Sequence, residues 1–492
     1  MRRNEMVCEL IALEFGAGSS SDLLHKRLYS AIRRAIVGGR LPAGAPLPGT
    51  RVLATELGLG RNTVARAYER LLAEGYAENG AAGRSSFVSG AAQALRPSCR
   101  PTRGSAGISR RAIELVHSAG ASPIQRGAFV AGVPDSSHFP FDVWRRLLAR
   151  HYRVEHGDLL QYSQSGYGPL KRALAQYLNI TRSVQCAPQQ IIVVNGTHQG
   201  LDLAARLLAD HGDRAWVEDP GYWGARNVLR AAGLQLEPIP VDAQGIAPSA
   251  AQWREPPRLI MVSPSSQYPT GAVLPLERRM RLLEAAATAG SWILEDDYDN
   301  ELRQHAAPVA SLFGLSRAQR VIYLGTFSKV MFPGLRLSYI VVPESLVDAF
   351  TVGNAELYRG GRLPEQATLA EFIESGHFST HIARMRGIYR ERREALRAVL
   401  DSRLGGALDI ASAQAGLQMA CVFREPLDDR QLSADALREG LVVRPLSHYY
   451  ADPERGASGM NLGFAAVPVP TIEPAAHRLS DLIERRLSTG RA

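Results

Sequence analysis

Short apolar runs alternate with helix-like segments through most of this chain, and that alternation restricts its fold more than any other feature. Strand candidates fall at 191–194 (Ile-Ile-Val-Val), 215–218, 259–262 (Leu-Ile-Met-Val), 292–295 (Trp-Ile-Leu-Glu), 321–324 and 337–342. Helical segments lie between them, for example 198–209 and 276–289. Strands that are apolar on both faces need cover on both faces, and the helices between them supply it. From about residue 126 the pattern predicts an α/β domain on a mostly parallel sheet. Beyond about residue 370, a long polar helix over 379–402, short strands and a last helix near 471–488 predict a smaller α+β subdomain.

Ligands of such sheets bind at the carboxyl ends of the strands. Five strand ends here carry chemistry. The first is followed by Gly196-Thr197 at the start of a helix, where free N–H groups suit a phosphate. The second leads to Tyr222-Trp223, the third to the polar turn from Ser263 to Gly271, and the fourth to Asp296-Asp297-Tyr298. The fifth leads through Thr326 and Ser328 to Lys329, with Arg336 seven residues on. Of the 57 Lys and Arg residues only three are Lys, at 26, 171 and 329. An arginine stays protonated, whereas a buried lysine can lose its proton and form a Schiff base with an aldehyde.

Taken one by one, these residues also read as a surface lysine, a packing aromatic and a solvated acidic loop. One ligand uses the whole set: pyridoxal 5′-phosphate. Its aldehyde takes Lys329, its ring nitrogen needs Asp296, and its phenolic oxygen takes a donor from Tyr298. Its ring stacks on Tyr222. Its phosphate takes Arg336, the hydroxyls of Thr326 and Ser328, and the Gly196 and Thr197 amides.

The first part of the chain differs in charge. Residues 1–110 hold 16 Arg or Lys against 8 Asp or Glu, close to the net +9 of the whole chain. A basic head on a near-neutral body points to a polyanionic partner. Residues 21–38 read as an amphipathic helix, capped by Ser21 or Asp22 and ended by Gly38-Gly39. After a Pro/Gly-rich turn, short helices follow over Thr50–Leu57 and Arg61–Ala73. In the second of these, Val64, Ala67, Tyr68 and Leu71 form an apolar face, with Asn62, Thr63, Arg66 and Arg70 opposite. That is the helix-turn-helix plan. A hairpin from Tyr76 to Val88 reads as a wing with Arg84 at its tip. Arg and Asn can reach base edges, while Thr suits phosphates.

The run from Gly39-Arg40-Leu41-Pro42 through Leu59-Gly60-Arg61-Asn62-Thr63-Val64 to Glu74-Gly75-Tyr76 resembles the GntR winged helix-turn-helix domain over about residues 20–90. The resemblance implies DNA contacts from Arg51, Arg61, Thr63 and Arg66. Relatives often carry Gly-Ser-Gly-Thr where this chain has Gly83-Arg84-Ser85-Ser86. Residues 126–490 resemble the fold type I aminotransferases. The match is carried by Tyr268-Pro269-Thr270-Gly271, by Glu295 to Glu301, and by Leu324 to Lys329 with Pro333 to Tyr339. Head and body together resemble the MocR/GabR group of bacterial regulators.

That resemblance implies a transcription regulator controlled by pyridoxal phosphate, with an amino acid, an amine or the cofactor itself as effector. The other reading is an active aminotransferase with an accessory DNA-binding head. The resemblance also implies a homodimer with the cofactor pocket at the subunit interface, and Tyr162 reaching the phosphate held by the partner subunit. Two positions depart from the pattern. Ser266 stands where relatives usually have His, and Asn461 where aminotransferases carry the Arg that binds the substrate carboxylate. Arg444 and Arg226 are the available substitutes.

The expected organisation is a tail over 1–19, a winged helix-turn-helix domain over 20–90, a linker over 91–125 and an effector domain over 126–492. The scattered Cys8, Cys99, Cys186 and Cys421 have no metal-type spacing, so no metal is expected. No apolar run is long enough for a membrane span, and acidic residues interrupt the N-terminus. The expected compartment is the cytoplasm.

Overall fold

Two regions of the chain bury separate cores. The computed structural model describes residues 2–16, 23–80, 86–93, 107–117, 120, 124, 126–303, 310–411 and 416–489. Its two compact units are Met1–Gly107 and Ile108–Ala492.

In the first unit, helix Leu24–Val37 buries Leu28, Ile32 and Ile36 against helix Arg61–Ala73, which buries Val64, Ala67, Tyr68 and Leu71. Helix Thr50–Leu57 ends at Gly58, whose φ of 61° gives the tight turn between the two short helices. The Tyr68 hydroxyl donates to Pro48 O at 2.8 Å and ties the third helix to the start of that turn. Strands Ala77–Asn79 and Ser86–Val88 pair antiparallel as the wing, and Pro46–Leu47 pairs on the other edge of Ser86–Val88. The proposed caps Ser21 and Asp22, and Arg84 at the wing tip, lie outside the described residues.

Residues 1–19, expected as a tail, contain helix Arg2–Gly16, which belongs to this core. It buries Val7, Cys8 and Ile11 at helical spacing, and Glu14 forms ion pairs with Arg34 and Arg40. The apolar stripe is short and interrupted by glutamates, which hid it. The second half of the expected linker is likewise partly structured: helix Arg110–His117 packs on helix Trp223–Ala231.

The second unit is built on an eight-stranded sheet. Its order is Ile191–Val194, Ser338–Val341, Val321–Thr326, Trp292–Asp297, Leu259–Val262, Arg214–Asp219, Gln235–Asp242, Gly245–Ile246. The strands from Val321–Thr326 to Gln235–Asp242 run parallel. Ser338–Val341 lies antiparallel to both neighbours, and Gly245–Ile246 is antiparallel at the far edge. The four strands of that block from Val321–Thr326 to Arg214–Asp219 are buried along their apolar residues, as continuous apolar runs require. A second, antiparallel sheet joins Leu408–Ile410, Gln418–Phe423, Gly459–Gly463 and Arg444–Pro445, covered by helices His377–Leu404 and Val469–Thr489. No helix among the described residues is long and apolar enough to cross a membrane.

All five tryptophans lie beyond residue 126, so the two cores can be followed separately. Leu71 is fully buried in the head. Leu71→Ala should cost the head about 2–5 kcal/mol. The expected readout is an earlier helix-loss transition by circular dichroism in urea, with the tryptophan-fluorescence midpoint unchanged.

Candidate functional site: a lysine cavity and a basic helix face

Strand Trp292–Asp297 ends in three consecutive carboxylates, and each meets a different surrounding. Glu295 accepts the Leu312 and Phe313 N–H groups, both at 2.9 Å. Asp297 pairs with Arg182 Nε at 2.6 Å and accepts the Tyr323 hydroxyl at 2.6 Å. Asp296 lies on the opposite face of the strand from these two and points into a cavity of about 270 Å³, where its Oδ1 is buried without a hydrogen-bond partner. Burial, and then the neighbouring Asp297, push the Asp296 carboxyl up to about 7, while Lys329 pulls it down.

Lys329 reaches the same cavity from the segment after strand Val321–Thr326. Its Nζ donates to Gly132 O at 2.8 Å. Burial lowers its proton affinity, and Arg444 adds to that, while Asp296 and Asp299 oppose it. A lowered proton affinity favours the free amine that a Schiff base needs.

The remaining expected residues meet here. Thr197, Tyr222, Tyr298, Thr326, Ser328 and Arg336 all line the cavity. Thr197 begins the helix Thr197–Leu208, so the free N–H groups of its first turn face the site. Gly196 has a φ of 110°, and a Cβ there would lie 2.7 Å from the Arg336 guanidinium, so only glycine allows this close approach. Arg336 donates to Asn195 O at 2.8 Å, and no carboxylate pairs with it among the described residues. Thr326 Oγ1 accepts from Ser328 N at 3.2 Å and Ser338 Oγ at 2.8 Å.

Other lining residues carry no sequence signal. Gly132 and Gln418 come from distant segments, and His198 bonds the Tyr222 hydroxyl at 2.8 Å. Ser266 sits 3.3 Å from the Tyr298 hydroxyl and 3.4 Å from Asp299 Oδ2. Tyr162 is outside the cavity and 77% exposed.

Asn461 is fully buried and does not line the cavity. Its Nδ2 donates to the Tyr449 hydroxyl at 3.0 Å, which is 3.2 Å from the Tyr268 hydroxyl. Arg444, its partner across the strand pair, does line the cavity. Arg226 does not: it donates to Tyr449 O at 2.8 Å and faces a neighbouring cavity.

On the head, Arg51, Arg61, Asn62 and Arg66 are exposed and Thr63 is half-buried. Among the described residues the three arginines form no ion pair. Arg70 differs: it bonds Glu74 at 2.7 Å and stacks on Tyr29 at 4.1 Å, so it braces the helix.

The sheet order, the lysine after one strand and the carboxylate at the end of its neighbour define a fold type I aminotransferase-like domain, here in one chain with a winged helix-turn-helix. Residues 130–479 match the family model for aminotransferase class I and II, and residues 24–88 that for bacterial regulatory proteins of the gntR family. The chain is 41% identical to the probable rhizopine catabolism regulatory protein MocR of Rhizobium meliloti, covering 93% of both chains. It is 33% identical to the HTH-type transcriptional regulator TauR of Rhodobacter capsulatus, covering 92% of this chain and 95% of that one. Among solved structures, the α-aminoadipate aminotransferase LysN of Thermus thermophilus, complexed with N-(5′-phosphopyridoxyl)-L-leucine, superposes with a TM-score of 0.67. It shares 27% identity and covers 77% of this chain and 96% of that one. The chain belongs to the MocR/GabR group of gntR-family regulators. Its head is a DNA-binding domain and its cofactor is pyridoxal 5′-phosphate.

The Arg182–Asp297 pair is the polar anchor beneath the cavity, with both side chains almost fully buried. Arg182→Ala leaves Asp297 buried without its counter-ion, with the Tyr323 hydroxyl still bonded to it, and should lower the unfolding free energy of this unit by about 3–5 kcal/mol. Tryptophan fluorescence in a urea titration would measure it.

Proposed function

We propose that this protein is a bacterial transcription regulator whose DNA-binding head responds to an amino acid, an amine or pyridoxal phosphate bound at the Lys329 cavity. The observation that carries this reading is the pairing of a buried amine, Lys329, with an unpartnered carboxylate oxygen, Asp296 Oδ1, in one cavity. Pyridoxal phosphate supplies an aldehyde for the amine and a ring nitrogen that needs a carboxylate.

The residues present fit that group. Lys329 would hold it covalently and Asp296 would keep the ring nitrogen protonated. Tyr298 would donate to the phenolic oxygen, and Tyr222 would cover a ring face with its hydroxyl fixed by His198. Arg336, Thr326, Ser328 and the Gly196-Thr197 turn would take the phosphate, where glycine admits the guanidinium. Tyr162, exposed in the single chain, would complete the phosphate site of a second copy in a cytoplasmic homodimer.

On the head, Arg61, Asn62 and Arg66 would enter the major groove, with Thr63 and Arg51 on the phosphates and Arg84 on a phosphate or in a minor groove. An effector that binds one dimer shape better than another shifts the spacing of the two heads by its differential affinity. The aminotransferase reading is weaker, because Asn461 is buried in a tyrosine network instead of offering a guanidinium.

Lys329→Ala protein should lose the cofactor absorbance on dialysis, whereas the parent keeps it until borohydride fixes it. Retention of equal colour after dialysis would sink the assignment. Asp296→Asn should weaken cofactor retention while leaving the urea midpoint of the cofactor-free protein nearly unchanged, because no internal bond is lost at Oδ1.

Arg66→Ala should weaken binding to the protein's own upstream DNA by about tenfold, a cost on the order of 1–3 kcal/mol. Fluorescence anisotropy at fixed salt would show it, and equal loss on random duplex would mark Arg66 as a phosphate contact.

A further inference from the structure

A second cavity, of about 320 Å³, adjoins the lysine cavity and carries an unusual charge. Its wall includes Trp223, Arg226, Arg230, Arg444 and His448. Arg226 and Arg230 lie four residues apart on helix Trp223–Ala231, hence on one face, and Arg444 enters from the small sheet.

Little opposes these three cations. Asp219 Oδ1 lies 3.6 Å from Arg226 Nη1 and is itself bonded by Ala451 N at 2.7 Å. The nearby Asp452 pairs with Arg455. Among the described residues, Arg230 has no ion pair. Arg444 makes one long bond, Nη1 to Gly120 O at 3.3 Å, and its Nε is buried without a partner. Burial, Arg430 and Arg444 push the His448 ring toward its neutral form, while Asp429 opposes them.

A packing role explains this poorly. Arg279, fully buried in the same unit, donates to Leu274 O at 2.8 Å, Ala310 O at 2.9 Å and Pro264 O at 2.7 Å. That is how a structural arginine is satisfied. Arg230 and Arg444, both half-buried, instead present open forks to the cavity. Three guanidinium groups against one carboxylate leave two positive charges, and guanidinium forks match oxyanions.

We propose that this cavity is a binding site for a compact phosphate-class dianion, separate from the cradle at Gly196 and Arg336. Trp223 and Arg444 line both cavities, so occupancy here is felt at Lys329 through the position of Arg444.

The test is calorimetric titration of inorganic phosphate, and separately of glycerol 3-phosphate, into the full-length protein loaded with cofactor, at ionic strength fixed with chloride. The loaded protein keeps the cradle occupied. The expected result is one saturable site per chain, with tighter binding of one titrant telling a free phosphate from an ester. Arg230→Gln should weaken it at least about tenfold, the loss of one charge-assisted hydrogen bond, without changing cofactor content. Arg230→Lys, which keeps the charge but not the fork, should fall between. No saturable binding above chloride overturns the proposal. So does equal binding by the parent and both Arg230 variants, which would place the anion elsewhere.

Discussion

The ion pair between Arg182 and Asp297 decides which carboxylate the cavity receives. A strand covered on both faces must neutralise any charge it carries, and Trp292–Asp297 ends in three acidic residues. Two are spent internally: Glu295 on backbone N–H groups, Asp297 on Arg182 and Tyr323. The alternation of a strand puts Asp296 on the other face, where no internal donor meets its Oδ1. A single register step thus separates an acid that holds the fold from one left for a ligand. The opposing amine is placed with the same economy, since Lys329 follows the neighbouring strand and Asp296 lies directly across from Leu324 in the parallel register.

This site was legible in sequence because its chemistry follows strand ends, and strand ends can be read. Asp296, Tyr298, Tyr222, Thr197 and Lys329 each stand at or just after an apolar run, and the sheet order brings those runs together. Strand Gln235–Asp242 escaped notice because Glu237, Pro238 and Pro240 break its apolar pattern. It is tolerated near the sheet edge, where fewer of its groups are buried and proline's missing N–H matters least. Gly132 and Gln418 were not legible at all. Each reaches the cavity from a segment far away in sequence, and neither residue type signals a ligand.

In the head, the same distinction holds between residues that present themselves and residues that are consumed. Sequence spacing placed Arg66 and Arg70 on one face. Arg70 is drawn off by Glu74 and the ring of Tyr29, one turn closer to the packed end of the helix. Arg61 and Arg66 remain exposed beside the turn that Gly58 closes. Periodicity gives the face of a helix, but only the packed neighbours decide which cations on that face stay available.

The departure at position 461 changes more than one side chain. An arginine there would sit at the centre of the small sheet, facing the tyrosines that Asn461 now joins. With asparagine in place, the tyrosine network is neutral, and a guanidinium stands at the paired position on the adjoining strand, Arg444. That guanidinium stands at the boundary between two cavities and lines both. A cation fixed deep in one pocket recognises the carboxylate of whatever occupies that pocket. A cation on a shared wall, with an unpartnered Nε and a long bond to Gly120, is held loosely enough to answer to either side. That arrangement suits a domain that reports on what it binds better than one that turns it over, because coupling needs a group with two alternative partners.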